Sequence, residues 1–210
     1  MSIVATTSVS DFFETAVKDA MRSRGVTASQ GAVSYVVALL CDLAKPGSPV
    51  GRTLERPLTL LLDEALHTPQ LGERFDRLRT LGDGVLYSSG FFAEHFEKRG
   101  VDTSYLVGIG RTAYDNANAI ILKNSAAPAD PTAEGSVLNI FAELSKSFAA
   151  FVAVIGEVAN GAVASGVASS AGLVKLYERW LKTGSSAIGQ ALHSHGLVVS
   201  GGPKGARVFS

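Results

Sequence analysis

The polar residues in the segment LGDGVLYSSG are the best candidates for chemistry in this sequence. Asp83 lies between two glycines, one helical turn before Tyr87. In helical bundles, polar side chains on facing helices line the pockets that bind small molecules. The segment GIGRTAY supplies an arginine and a tyrosine on a neighbouring predicted helix. The residues predicted to bind a ligand are Asp83, Tyr87, Arg111, Tyr114 and Glu157.

The same segment also fits a close contact between two helices, and this interpretation is favoured. Glycine allows a neighbouring element to approach the backbone closely. Asp83 and Tyr87 would then be hydrogen-bonded across the contact, as buried polar groups usually are. Gly108 and Gly110 are assigned to the same role, because a phosphate-binding loop needs a preceding strand and these glycines continue a helical pattern.

The sequence contains no recognisable catalytic or metal-binding pattern. No serine has an identifiable His–Asp partner for nucleophilic catalysis. His193 and His195 are two residues apart, about 200° around a helix, and therefore cannot bind one metal ion there. The HExxH, EF-hand and Cys-x-x-Cys motifs are missing from the sequence. We therefore predict no catalytic residue, no metal and no cofactor.

Composition and charge describe a globular chain without an electrostatic preference. The 210 residues are 46% hydrophobic and 18% charged, which is too apolar for a disordered protein. Lys plus Arg and Asp plus Glu both number 19, so the formal net charge is zero. A chain without net charge has no general attraction to nucleic acid or to an acidic membrane, and little electrostatic repulsion opposes its self-association. The single cysteine has apolar neighbours, and the N-terminus lacks a signal-peptide pattern. These features predict a soluble, cytoplasmic protein.

Helical periodicity extends over most of the chain and predicts an all-α fold. Serine and aspartate favour helix starts and glycine favours helix ends, so the first helix is expected to begin near Ser10 or Asp11 and to end at Gly25. The helix predicted at about residues 70–100 is expected to kink near Gly90. Further helices are predicted at about residues 29–45, 57–69, 70–100, 104–123, 132–164, 173–182 and 185–195.

The predicted architecture is a single compact bundle of about seven helices around one long central helix at about residues 132–164. The helical domain is expected to cover residues 10–198. Residues 1–9 are expected to form an N-terminal tail, and residues 199–210, which are rich in glycine, a flexible C-terminal tail.

The apolar segment from Phe148 to Val174 resembles a membrane span interrupted by Glu157. Only eight strongly apolar residues lie between Phe148 and Ala168. Each would contribute about 0.3–0.6 kcal/mol to insertion, whereas a central carboxylate costs about 2.5–3.5 kcal/mol. Insertion is marginal, so a core helix is favoured over a span, with a break expected by the segment SGVASSAG.

At about 100° per residue, the predicted central helix has an apolar face and an opposite face of polar and small residues. The residues of the apolar face predicted to be core are Phe141, Leu144, Phe148 and Ile155. Glu157 lies on the opposite face, where an exposed or interfacial position is favoured, and Arg111 is its predicted partner if it is buried. A second stripe predicted to be core comprises Leu173, Leu176, Tyr177 and Trp180.

Apolar and small residues outside these core faces predict a protein that acts through association. The predicted interface residues are Tyr87, Phe91, Ala150, Ala153 and Gly161. The leading hypothesis is a non-enzymatic helical protein that binds a protein partner or itself, with a homo-oligomer expected and no nucleic-acid partner. The alternative is a small-ligand binder or enzyme with a buried polar pocket near Asp83 and Arg111. A third hypothesis is an amphitropic protein that associates with membranes.

Overall fold

The computed structural model of the chain describes residues 8–44, 56–124, 137–166 and 170–197. Within these ranges it contains ten α-helices and no β-strand, which confirms the all-α prediction. The helices are α1 Val9–Arg24, α2 Gln30–Leu43, α3 Leu58–Leu66, α4 Leu71–Phe91, α5 Ala93–Lys98, α6 Thr103–Asn124, α7 Val137–Lys146, α8 Phe148–Ser165, α9 Ser170–Thr183 and α10 Ser186–Ser194. Most of the predicted tails, and the proline-containing loops before α3 and after α6, lie outside the described residues and stay predictions.

One predicted helix, at about 70–100, is divided near its aromatic end. It stops at Phe91 and resumes at Ala93, so the break falls two residues beyond the expected kink at Gly90. Phe92 has φ −115° and ψ 26°, outside the α-helical region, although its N–H still donates to the carbonyl oxygen of Ser88 at 2.9 Å. The rotated backbone accompanies an edge-on contact of the Phe92 ring with Tyr87, with 5.7 Å between ring centroids.

The predicted central helix is interrupted at Ser147, between α7 and α8. The N–H of Ser147 donates to the carbonyl oxygen of Glu143 at 2.9 Å, and the N–H of Phe151 donates to that of Ser147 at 3.0 Å. Both bonds join residues four apart, which is the α-helical pattern. Residues 137–165 therefore form two helices joined through one residue, and α8 ends where a break was expected. Residues 132–136 lie outside the described part of the chain.

Helix ends follow the serine and glycine patterns, with one correction at α1. Gly25, Gly184 and Gly196 have positive φ at or just after helix ends, as glycine allows there. The N-cap of α1 is Ser8 rather than Ser10 or Asp11. The Ser8 hydroxyl accepts the N–H of Asp11 at 3.1 Å, and the Asp11 carboxylate accepts the N–H of Ser8 at 3.2 Å. Asp11 is therefore the third helical residue of a reciprocal capping box.

The chain divides into two compact units, one within residues 1–155 and the other within residues 156–210, and the division falls inside α8. In the first unit, α4 and α7 both pack on α6, α3 packs on α4, and α2 packs on both α1 and α7. In the second unit, α9 packs on α10. Each unit has its own buried side chains, which are described separately below.

The core of the first unit is built around Phe141 of α7. Its ring contacts Tyr35 of α2, Phe75 of α4 and Tyr114 of α6, with centroid distances of 5.4, 5.5 and 5.6 Å. Aromatic rings at this spacing favour edge-to-face arrangements. The four residues predicted to be core are between 0% and 3% exposed, which confirms the predicted helix face; they are Phe141, Leu144, Phe148 and Ile155.

Two glycines make room for aromatic rings in this core. A Cβ atom on Gly82 of α4 would lie 2.5 Å from the Tyr114 ring, and one on Gly110 of α6 would overlap the Phe148 ring. Gly110 is therefore a helix contact point, as predicted. Gly108 is not, because a Cβ atom there would meet open space. The two glycines differ because they lie about 200° apart around α6.

The second unit has a small core between α8, α9 and α10. Trp180 of α9 is 8% exposed, and a Cβ atom on Gly189 of α10 would lie 3.2 Å from the indole Nε1. Leu173 packs at the edge of the same cluster. The buried apolar residues are Ala164, Leu176, Trp180, Ile188 and Leu192. Leu176 and Trp180 are therefore core residues, as predicted.

Among the described residues, α8 is the helix that is long and apolar enough to cross a membrane. Its mean hydropathy is 1.6 over 18 residues, and half of them are buried inside the protein. Core helices share these properties, and α8 also buries Glu157 and Asn160 with hydrogen-bond partners. The preference for a core helix over a membrane span stays a prediction.

Candidate functional site

Asp83 is a buried carboxylate that joins three helices of the first unit. It lies on α4 and is 7% exposed. Its Oδ1 atom accepts one hydrogen bond from the hydroxyl of Tyr35 on α2 and another from the hydroxyl of Tyr114 on α6, each at 2.7 Å. These three residues, which we call the Asp83 cluster, therefore hold α2 and α6 to α4.

The surroundings of Asp83 favour its protonated form. Burial raises the pKa of Asp83 to about 6, with a small addition from Asp42, although the two tyrosine hydrogen bonds and the charge of Arg79 oppose the rise. Burial, followed by the nearby Asp83 charge, raises the pKa values of Tyr35 and Tyr114. Both phenols therefore stay protonated and can donate, while the carboxylate changes its charge just below neutral pH.

We expect Asp83→Asn to remove a pH-dependent loss of stability. The pKa of Asp83 is about 6 in the folded chain and ordinarily 3.8, so the folded state binds the proton more tightly than the unfolded state. The contribution of Asp83 to the free energy of unfolding therefore falls as the pH rises from about 4 to about 6. A two-unit shift corresponds to about 3 kcal/mol. In denaturant unfolding between pH 4 and 7, the wild type should lose up to this amount relative to Asp83→Asn.

Tyr35→Phe is the companion variant for this experiment. It removes a hydrogen bond that favours the carboxylate, so it should raise the pKa of Asp83 further and extend the loss of stability to higher pH. A free-energy difference between wild type and Asp83→Asn that does not change with pH would contradict the buried, protonatable carboxylate.

The residues predicted to line a pocket on α4 and α6 are only partly brought together. Asp83 and Tyr114 are hydrogen-bonded, whereas Tyr87 is half-buried and Arg111 is exposed. Tyr35, rather than Tyr87, is the second donor to Asp83, and it lies 48 residues away in the sequence within an apolar pattern. No local signal points to Tyr35. The ligand pocket near Asp83 and Arg111 stays a prediction.

Glu157 of α8 is buried, which corrects the expectation of an exposed or interfacial position. It is 3% exposed. Its Oε1 atom accepts hydrogen bonds from the hydroxyls of Ser185 and Ser186 at 2.9 and 3.0 Å, and from the backbone N–H of Ala187 at 2.9 Å. The side of α8 opposite its main apolar face is therefore covered by the start of α10. Carboxylates are strong acceptors at a helix N-terminus, where N–H groups lack partners.

A second glutamate plays the same part in the first unit. Glu143 of α7 accepts the backbone N–H of Ser29 at 2.7 Å through one oxygen and the Ser29 hydroxyl at 2.5 Å through the other. Ser29 is the N-cap of α2, and its hydroxyl oxygen accepts the N–H of Ala32 at 3.2 Å. In both units, a serine N-cap is thus bound by a glutamate from a helix distant in sequence.

The helix starts indicate why α2 and α10 use remote glutamates. α1 carries its own acid, Asp11, at the third helical position. The same position holds Ala32 in α2 and Ile188 in α10. A serine N-cap without an acidic third residue is therefore the sequence signal that could indicate a carboxylate supplied from elsewhere.

Another polar residue of α8 also faces a partner rather than solvent. Asn160 is 4% exposed, and its Oδ1 atom accepts a hydrogen bond from Nε of Arg179 at 2.8 Å. Arg179 lies on α9, so this bond ties α8 to α9 within the second unit. Together with Glu157, it shows that the polar face of α8 binds neighbouring helices.

The exposed side of α9 carries a row of apolar side chains. Val174, Tyr177 and Leu181 are 60%, 41% and 47% exposed, whereas Leu176 and Trp180 on the other side are buried. We call the three exposed residues the α9 stripe. This placement corrects the prediction that Tyr177 is core: its ring stacks on Trp180, with centroids 6.0 Å apart, while much of it stays exposed. α9 therefore has two apolar sides, one of which packs in the core.

The aromatic residues predicted to form an interface lie near the join between α4 and α5. Tyr87 and Phe91 are half-buried, with ring centroids 4.7 Å apart. Phe92 beside them is 47% exposed and packs against both rings. Burial raises the pKa of Tyr87. These rings form a second apolar surface. Of its three side chains only Phe92 is exposed, whereas all three side chains of the α9 stripe are exposed.

The small residues predicted to form an interface differ in position. Ala153 is exposed and Ala150 is half-buried on α8. A Cβ atom on Gly161 would lie 3.7 Å from the Cβ atom of Ala187, so Gly161 faces the start of α10 within its own unit. Gly161 is therefore explained by packing inside the chain. An interface role for the two alanines stays a prediction.

In the part of the chain that the structure describes, no group of three or more His, Cys, Asp or Glu side chains could hold a metal ion. His193 lies in the last turn of α10 and His195 caps its C-terminus, both exposed. The expectation that the protein binds no metal stays a prediction.

Comparison with known proteins identifies no relative. No protein-family model, no curated protein and no solved structure matches this chain. We therefore infer function from the side chains that the fold exposes and from those that it buries.

Proposed function

We propose that this chain is a non-enzymatic helical protein that acts by associating with another protein chain through the α9 stripe. The observation that carries the proposal is the exposure of Val174, Tyr177 and Leu181 on one side of a helix whose other side packs in the core. Adjacent exposed apolar side chains mark interaction surfaces. A helix that presents residues at positions i, i+3 and i+7 suits binding to another helix or to a groove.

The carboxylates of Asp83, Glu143 and Glu157 support a non-enzymatic function because their hydrogen bonds hold helices together. One oxygen of Asp83 accepts two tyrosine hydroxyls, and both oxygens of Glu143 are bound to Ser29. One oxygen of Glu157 accepts three hydrogen bonds from the start of α10. Acid–base catalysis instead needs a titratable group placed against the substrate.

The charge balance supports association as well. Acidic and basic residues both number 19, so two copies of the chain, or the chain and a neutral partner, meet without net repulsion. Burial of the stripe would then supply the favourable free energy, at about 25 cal/mol for each Å² of apolar surface removed from water.

Leu181→Glu is expected to abolish association, because an unpaired carboxylate is costly to bury in an apolar contact. Wild type and variant should be compared by light scattering after size exclusion. Tagged forms of both should also be used to recover bound chains from extracts of cells that produce the protein. The wild type should show a mass above that of one chain, or retain a second protein in stoichiometric amount, and the variant should show neither.

Leu122→Glu is the matched control. Leu122 is 45% exposed near the end of α6, in the first unit, whereas Leu181 is 47% exposed. The control should associate like the wild type, and both variants should keep the wild-type helix content. Two results would contradict the proposal. One is undiminished association of Leu181→Glu; the other is a monomeric wild type that retains no stoichiometric protein.

A further inference from the structure

The Asp83 cluster joins α2 to α4 and α6, and we propose that it acts as a pH-controlled latch. α2 and its neighbour α1 open away from α4 and α6 more readily when Asp83 is ionised than when it is protonated. This opening is independent of the proposed association, because the α9 stripe lies in the second unit. It depends on how firmly each tyrosine is held and on the charges around Asp83.

The two tyrosines of the cluster are held unequally. Tyr114 is 0% exposed, and its ring fills the space that Gly82 leaves on α4. α4 and α6 also share a buried apolar cluster with α3. Tyr35 is only half-buried and contacts the Asp83 carboxylate and the edge of the Phe141 ring. The bond from Tyr35 to Asp83 is therefore the part of the cluster that can break while α4 and α6 stay packed.

The helix pair α1 and α2 is the element that this break would release. The two helices pack on each other and are connected by residues 25–29. α2 also packs on α7, where Ser29 at its start is bound by Glu143. Tyr35 lies near the middle of α2, about 9 Å along the helix from Ser29. Small groups of neighbouring helices are common units of local opening in folded proteins.

The charges on α4 and α2 leave an ionised Asp83 only weakly compensated. Within the described residues of the first unit, Asp83 accepts two phenol hydroxyls but forms no ion pair. Arg79 lies one turn earlier on α4, where it is 4.0 Å from Asp76, and its charge offsets part of the cost of burying the Asp83 charge. Asp42 of α2 adds a further negative charge nearby.

The other helices beside the cluster add no compensating charge to the core. On α6, the charged neighbours of Tyr114 are Arg111 and Asp115, and both are exposed. From α7, the uncharged Phe141 ring packs against both tyrosines, and Glu143 is bound to the start of α2. Ionisation therefore places a charge in the core that the phenol hydroxyls and the more distant Arg79 only partly stabilise.

Opening of α2 exposes Asp83 to water and so couples the opening to a proton. Burial raises the pKa of Asp83 to about 6 in the closed state, whereas its ordinary value is 3.8. The open state then binds the proton less tightly, so opening releases a proton and becomes more favourable as the pH rises from about 4 to about 6. Above about pH 6 the effect levels off. A pKa difference of about two units limits the rise in the opening constant to about 100-fold.

Amide hydrogen exchange of the whole chain tests the latch. Exchange rates measured between about pH 4 and about pH 7, divided by the intrinsic rate at each pH, give the opening constant of each amide. For amides within residues 32–43 of α2, this constant should rise by about 30-fold to 100-fold in the wild type. In Asp83→Asn it should stay within about threefold, because the position no longer titrates. Asp115→Asn, which changes an exposed carboxylate on α6, is the matched control and should behave like the wild type.

The amides of α6 show whether α2 opens by itself. Since α6 stays packed on α4 during the proposed opening, its amides should have smaller opening constants than those of α2 throughout this pH range. Equal constants for α2 and α6 would show that the unit opens only as a whole, and would overturn the latch. Opening constants of α2 that do not change with pH in the wild type, or that rise equally in Asp83→Asn, would overturn the role of Asp83.

Tyr35→Phe provides a second test that keeps Asp83 in place, and it decides the inference if Asp83→Asn does not fold. The variant lacks the hydroxyl that closes the latch, so the α2 opening constant should increase about tenfold or more at about pH 7. Far-UV circular dichroism should show the wild-type helix content. An α2 opening constant within about threefold of the wild-type value would contradict the latch.

Discussion

Phe148→Ala should lower the free energy of unfolding by about 3–5 kcal/mol, because it removes a fully buried ring from the core. Phe148 is 0% exposed and packs against Tyr114, with 5.8 Å between ring centroids. Denaturant unfolding followed by far-UV circular dichroism measures the change. Ala149→Gly, at an exposed position on the same helix, is the control and should cost only about 1 kcal/mol from helix propensity.

The contact between Phe148 and Gly110 allows a second test of the same packing. A Cβ atom on Gly110 would overlap the Phe148 ring, so Gly110→Ala should destabilise the wild type by about 1–3 kcal/mol. In the Phe148→Ala background the ring is gone, and the same change should be neutral or stabilising, because alanine favours helix by about 1 kcal/mol over glycine. Equal effects of Gly110→Ala in the two backgrounds would show that a side chain at position 110 does not contact the Phe148 ring.

Glu157→Ala should cost about 3 kcal/mol or more, because it leaves two serine hydroxyls and a backbone N–H without their acceptor. Glu157→Gln keeps an oxygen at this place but removes its charge, so we expect a smaller loss of more than about 1.5 kcal/mol. Trp180, the one tryptophan of the chain, lies in the same unit, and its fluorescence during denaturant unfolding reports the change.

The start of α10 provides a local test of the same prediction. The amide of Ala187 donates to Glu157, so its hydrogen exchange should be faster in both variants. Glu97→Gln, at an exposed position on α5, is the control and should change stability by less than about 0.5 kcal/mol. A Glu157→Gln variant as stable as this control would contradict the capping role.

The helix ends and the core face could be predicted from the sequence because both depend on local patterns. Gly25 and Gly184 end helices through their own backbone freedom. Phe141, Phe148 and Ile155 recur at helical spacing, and each is buried where the phase predicts. Such features involve residues within a few turns of one another, so they need no knowledge of which helices meet.

The positions of the acidic residues could not be predicted in this way. Helical phase shows that Glu157 faces away from the apolar side of α8, but it does not show whether another helix covers that side. The partners of Glu157 begin 28 residues further on, and Tyr35 lies 48 residues from Asp83. The burial of Tyr177 could not be predicted for a similar reason. α9 has apolar residues on two sides, and periodicity alone does not show which side another helix covers.

Amide hydrogen exchange of the wild-type chain at low and high concentration tests association through the α9 stripe most directly. Binding stabilises the bound form by mass action. The backbone hydrogen bonds of a segment that becomes covered should therefore open less often at high concentration. We expect amides within residues 172–183 to exchange more slowly in the concentrated sample, while those of α4 exchange equally in both. Equal exchange of α9 at the two concentrations, or slower exchange confined to the aromatic residues Tyr87, Phe91 and Phe92, would contradict it.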